Sequence, residues 1–461
     1  VWWSRYTVFD GYSTTEFKSV KSVAKIMFLK RLQLGLIHTA VAMTLVPINS
    51  TLNRVMIHEL GLSKTLVTLL AISPYLLSPI QVAIGSFSDR HPILGYRRSP
   101  YILLGLILCV VGVTVSPQVA ILISENFTLG ILVGLLAFGA WGMGYNLSAV
   151  SYLSLASELS GEKGRGRTVA VMFTMMIIGL IATGLTLSRL VPTYSPEILT
   201  RAFNLVAASA LTLGLLGLFR LEPHSGGEST QGPRAETYTV KQMTAAITSN
   251  PVARVFFVYL LLLLAALLGQ DVLLEPFGAQ AFGMTIEQTS RFVSIMGTFT
   301  LLAFALAGVL EGRVPKRRLA QTGNLGALLG FLTILLSGIL HSSGIFYAGL
   351  VLLGFGTGLS TVANLSLMFD LTVPEQVGLY IGAWGFSNGL SRLVGLFLAG
   401  IVADIGTQVT GSALNGYLIV FGIEALMLLI AAFLFYRIDV NAFHRSASEP
   451  TFEEKLALAS D

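Results

Sequence analysis

Charge is scarce in this chain. Asp, Glu, Lys and Arg make up 11% of the 461 residues and hydrophobic residues 54%, with a mean hydropathy of +0.75. Soluble domains carry about 25% charged residues, so a soluble globular protein is excluded and a polytopic membrane protein is implied. Cysteine is nearly absent: Cys109 stands alone in an apolar stretch, which excludes a disulfide framework or a thiolate metal site. The first 30 residues lack the apolar core and cleavage site of a secretory signal, so the first spanning helix is expected to act as its own insertion signal. Phosphate-binding loops are missing too, because GEKGRG (161–166) has neither the Lys-Ser/Thr ending nor a preceding strand. The apolar stretches hold no Asp-x-x-x-Asp constellation for magnesium and a diphosphate, and no neighbouring carboxylates for hydrolysis. These absences argue against an enzyme and give no metal site.

What is present is a series of apolar runs broken by short charged loops. Thr65 to Ile84 and Ser99 to Ser124 are uncharged, and the loop between them, GSFSDRHPILGYRR, gathers Asp89, Arg90, Arg97 and Arg98. Spans are expected near 33–57, 65–87, 99–123, 129–156, 168–190 and 202–219, then near 253–274, 292–310, 379–403 and 416–436. The uncharged stretch 319–369 is split into two further spans by His341-Ser-Ser-Gly. The chain thus divides into an N-terminal segment 1–32, a six-helix bundle 33–220, a linker 221–252 with Gly226, Gly227 and Pro233, a second bundle 253–437, and a tail 438–461. Lys+Arg (29) exceed Asp+Glu (24), but the excess lies in membrane-flanking loops and does not imply nucleic acid. Placing both termini in the cytoplasm collects Lys163, Arg165, Arg167, Arg313, Lys316, Arg317 and Arg318 on that side, as the positive-inside bias requires.

The halves echo each other. Asn53–Gly61 aligns without gaps to Gln270–Gly278, and Glu158-Leu-Ser before Gly166 matches Asp370-Leu-Thr before Gly378. Such internal repeats are a mark of secondary transporters. In the first loop Gly85, Asp89, Arg90, Gly95, Arg97 and Arg98 resemble the signature between the second and third helices of major facilitator transporters. The segments LNRVMI, RGRTVAVMFTMMIIG, QDVLLEPFG and NLSLMFDLT resemble a narrower branch, the PucC/LhaA-type bacteriochlorophyll delivery proteins, over residues 32–438. The resemblance implies an all-α membrane protein of twelve transmembrane helices in two pseudo-symmetric six-helix bundles. It also implies a role in assembling light-harvesting or photosystem complexes in a photosynthetic membrane, with chlorophyll or bacteriochlorophyll as a bound ligand and no covalent cofactor. A second reading is an ordinary secondary transporter of a small solute sharing the fold.

Ionisable and polar groups at membrane depth are the candidate functional residues, because burying them in lipid is costly. His38 offers an imidazole to a chlorophyll magnesium or a hydrogen bond to a neighbouring helix. Asn53, Gln270 and Asn388 are further pigment-contact candidates, each with helix–helix hydrogen bonding as the plainer role. Conformational roles are expected for the first-loop residues and for Glu158 and Arg165. Arg54 and Asp271 hold the same place in the aligned stretches with opposite charge, so they are expected to attract across the cavity at the far membrane rim. Arg392 and Glu424, at similar computed depths in their helices, are expected to pair with one another.

Overall fold

The computed structural model describes residues 14–76, 87–88, 91–224, 240–372 and 377–448. Gly85, Asp89 and Arg90 lie outside the described residues. Helices dominate, and eleven among the described residues are long and apolar enough to cross a membrane. In chain order they are α1 (Ile26–Glu59), α3 (Ser99–Glu125), α4 (Phe127–Gly161), α5 (Gly164–Leu190), α6 (Pro196–Leu218), α7 (Pro251–Val272), α8 (Ile286–Leu310), α9 (Lys316–Ile339), α10 (Ser343–Asp370), α11 (Gly382–Thr410) and α12 (Ala413–Phe435). The start of a further helix, α2, covers Lys64–Ala71 and Ser73–Leu76. The stretch 221–252, read from sequence as a plain linker, carries a short helix at Val240–Ser249, and another follows α12 at Val440–Ser448.

Two helices depart from α geometry at the aligned repeat. After Pro47, which lacks the N–H for a bond back to the preceding turn, α1 winds as π-helix over Pro47–Leu52 and Val55–Glu59. In α7 the corresponding stretch tightens into a 3₁₀ turn at Gln270–Val272, beyond which helix resumes over Leu274–Phe282.

Within each half the close joints are made by glycine, as expected where lipid offers no hydrophobic drive and helices associate by packing. A Cβ on Gly144 would fall 2.5 Å from the Gly105 carbonyl between α3 and α4; one on Gly356 would fall 2.2 Å from the Ala327 amide between α9 and α10. The same helix pairs carry matching ion pairs. Arg98, just before α3, bonds Glu158 near the end of α4 at 3.0 Å, and Lys316, opening α9, bonds Asp370 closing α10 at 2.8 Å. These are the positions the sequence alignment of Glu158 with Asp370 singled out, so the repeat is a repeat of contacts.

The halves meet at the end remote from the chain termini. There Ser50 donates to Glu275, the Thr51 and Ser290 hydroxyls lie 3.2 Å apart, and Arg54 donates to the Met284 carbonyl at 2.9 Å. Asp404 of α11 accepts from the amides of Lys64 and Thr65 at 3.1 and 2.8 Å, capping α2 from the opposite half. Ser294 of α8 donates to Ile181 of α5 at 2.9 Å, and Arg291 to Ser188 at 3.1 Å. Cross-half hydrogen bonds between described residues cluster at this far end, which is therefore closed.

Candidate functional site

Beneath the closed end, polar side chains from both halves converge. Asp271, on the 3₁₀ turn of α7, accepts from the Arg392 guanidinium of α11 at 3.3 Å. The guanidinium also stacks on the Tyr75 ring of α2, 4.5 Å from its centroid, so a cation of the second half lies against an aromatic of the first. Tyr145 of α4 is within electrostatic reach of the same guanidinium. The Asp271 and Arg392 side chains are 38% and 26% exposed although they sit midway between the ends of the bundle. Their neighbours Gln270 and Val272 are buried. Because Arg392 contacts Tyr75 across the halves, that exposed surface faces the space between the halves and not lipid.

The joint between α1 and α7 beside the ion pair has unspent hydrogen-bonding capacity. Gln270 donates to Asp271 at 2.8 Å and to the Leu267 carbonyl at 3.2 Å, leaving its own oxygen without a partner among the described residues. Asn53 Nδ2 and Asn49 Oδ1 on α1 are likewise buried without a partner. The π-helical stretch of α1 lies against the 3₁₀ turn of α7, so these amides line adjoining surfaces. Asn388, one turn before Arg392 on α11, is exposed on the same helix face. The arrangement can hold an anionic or a cationic group of a ligand by opening one ion pair, with amides and aromatic rings around it.

Both pairings expected from depth in the chain are corrected. Arg54 does not meet Asp271: it bonds Glu59 on its own helix at 2.8 Å and the Met284 carbonyl. Equal position in a gap-free alignment assumes equal rise and rotation, whereas π-helix in α1 and 3₁₀ in α7 wind in opposite senses away from the α value. Helix also continues past Asp271 to Phe282, so Asp271 lies at mid-depth and not at the rim. Arg392 does not meet Glu424 but takes Asp271, and both Glu424 oxygens are buried without a partner among the described residues.

The remaining candidates separate by place. Asn53 and Gln270 are buried where the π-helical stretch of α1 meets the 3₁₀ turn of α7, and Asn388 is exposed one turn from Arg392. His38 does not face it: the ring is buried within the first half, 5.1 Å from the Tyr152 ring and 5.0 Å from the Phe173 ring. Its Nδ1 is buried without a hydrogen-bond partner among the described residues. Glu158 pairs with Arg98, and Arg165 is exposed and apart from it. Arg98 is buried and also donates to Ser88, while its amide and those of Arg97 and Ser99 donate to Glu222. Gly95 (φ +77°) closes a tight turn with Leu94 (φ +53°) and leaves room for the His224 ring, so its requirement for glycine is local. Sequence reasoning missed Tyr75, Tyr145 and Asn49, which carry no charge and sit in ordinary apolar runs.

The described helices, eleven spans and the start of another in two halves closed at one end over a polar centre, have the major facilitator fold. The same fold is seen in the crystal structure of a bacterial homologue of the human lysosomal transporter Spinster, in an inward-facing and unoccupied conformation: TM-score 0.70, 14% identity, 92% of this chain and 99% of that one. The sequence narrows the class further. The model of the PUCC protein family matches residues 51–443, and the chain belongs to that family. It is 30% identical to Protein PucC of Rhodobacter capsulatus over 415 residues, 87% of this chain and 90% of that protein. It is 27% identical to a protein of the same organism named Bacteriochlorophyll synthase 44.5 kDa chain, over 418 residues, 88% and 94% of the two chains.

Proposed function

We propose that this protein handles chlorophyll-type pigment in a photosynthetic membrane, delivering it to light-harvesting or photosystem subunits during their assembly, with both termini in the cytoplasm. It acts as a carrier or assembly factor and not as an enzyme, despite the name borne by one relative. The observation that carries the reading is the central space itself, in a chain of the PUCC family. Asp271 and Arg392 form a half-exposed ion pair there, roofed by Tyr75 and bordered by Asn53, Gln270 and Asn388. Aromatic and amide groups suit the ring edge and carbonyl substituents of a tetrapyrrole, and the ion pair of the second half supplies a charged anchor whose Tyr75 cover parts when the halves open.

The ion pair also favours a second reading, transport of a small polar solute. One experiment separates the two: the absorption spectrum of the protein purified from a pigment-producing host. The proposal expects a red-region band near one pigment per chain, lost in Arg392→Gln. A colourless protein whose proteoliposomes accumulate a polar solute overturns the pigment reading and supports the solute carrier.

A further inference from the structure

Glu424 stands near the middle of α12, 4% exposed, with neither carboxyl oxygen partnered among the described residues. It borders a small crevice of about 20 Å³ lined by Ala265, Gly395, Ala399, Val420 and Met427, room for one water at most. Its place relative to the central ion pair is fixed by two glycines. A Cβ on Gly269 would lie 2.8 Å from Glu424 Oε1 and 3.0 Å from the Gly395 carbonyl. Asp271 is two residues beyond Gly269, and Arg392 is one turn before Gly395. The α7–α11 joint, opened by Gly269, thus admits the carboxyl of α12 beside the two backbone segments that carry Asp271 and Arg392.

The sequence offered no neighbouring carboxylates; the fold brings two together from α7 and α12. Among the described residues, Asp271 of α7 is within electrostatic reach of Glu424 of α12, and Asp271, Tyr75 of α2 and Tyr145 of α4 are within reach of Arg392 of α11. That is two carboxyls and one guanidinium at membrane depth, with Glu424 buried and the other two open only to the space between the halves. A net charge there is costly, and Arg392 stays cationic. Balance requires one proton.

We infer that Asp271, Arg392 and Glu424 form a binding site for one exchangeable proton, whichever cargo the central space takes. In the arrangement seen, Arg392 neutralises Asp271 and the proton closes Glu424 as a carboxylic acid. When Asp271 is drawn to a ligand it takes the proton, and Glu424, left as a carboxylate, receives Arg392. No atom other than the proton is transferred. Opening of the central pair is thereby tied to an internal proton shift from Glu424 to Asp271.

The test is an infrared titration of the purified protein in nanodiscs, reading the deuterium-sensitive C=O band of protonated carboxyls. Relative to wild type, Glu424→Gln loses one such band. Asp271→Asn also loses one, because Glu424 then ionises against Arg392. Arg392→Gln gains one. The first two changes are near-isosteric, so the comparison stands even where Arg392→Gln folds poorly. Spectra unchanged in both carboxyl variants overturn the inference. So does a band lost in Glu424→Gln but retained in Asp271→Asn, since Glu424 would then hold its proton without reference to the central pair.

Discussion

Asp404 is the residue on which closure of the far end most visibly depends. Its carboxylate receives the Lys64 amide (3.1 Å), the Thr65 amide (2.8 Å) and the Thr65 hydroxyl (2.7 Å), three bonds from the first half to one side chain of the second. Two of the donors are free amides at the start of α2, where the helix dipole also favours a negative group. Hydrogen bonds to a charged group contribute about 1.5–3 kcal/mol each when buried. Asp404 is 20% exposed and water takes over these partners once the halves part, so a net total of about 2 kcal/mol is a fair value. Asp404→Ala should therefore raise the ratio of far-open to far-closed protein about thirtyfold. Spin labels at exposed Thr193 and Gln408, one on each half at that end, report the change as a longer component in pulsed electron–electron distance distributions. Cys109, the sole native cysteine, is buried. An unchanged distribution in Asp404→Ala, under conditions where wild type is closed, would refute the assignment of this cap as the latch.

The paired ion bridges of the repeat should differ in worth despite their equivalence. Arg98 is 7% exposed, so Glu158→Gln weakens one charged contact of a buried cation and should cost about 2 kcal/mol of stability, whereas Asp370→Asn faces a half-exposed Lys316 and should cost under about 1 kcal/mol. Denaturation midpoints of the two variants measure this directly, and equal losses would count against it. Gly356→Ala should sharply reduce the yield of monodisperse protein, because its Cβ meets backbone at 2.2 Å, while Gly139→Ala, with nothing within 4 Å, should be neutral on size-exclusion chromatography.

Much of the architecture is readable from the chain because lipid imposes simple rules. Uncharged runs such as 319–369 announce spans, and the alignment of Glu158 with Asp370 marks a repeat whose ion pairs at the ends of α4 and α10 only the fold reveals. The polar centre is less legible. Arg392, Asp271 and Glu424 are conspicuous as charges in apolar helices, yet their partners depend on rotation about each helix axis. A π-helical stretch after Pro47 and a 3₁₀ turn after Gly269 alter that rotation, and nothing in hydropathy marks their extent. Tyr75 enters the site only because α2 and α11 cross there, a contact between segments with no sequence relation.

Pigment delivery itself is tested by transfer between membranes. Nanodiscs containing this protein loaded with bacteriochlorophyll are mixed with nanodiscs bearing pigment-free antenna polypeptides, and the red-shifted absorption of assembled antenna is followed with time. Assembly is expected many times faster than from protein-free discs holding the same pigment, with the gain abolished in Arg392→Gln. Antenna formation at the same rate from both kinds of disc would contradict it.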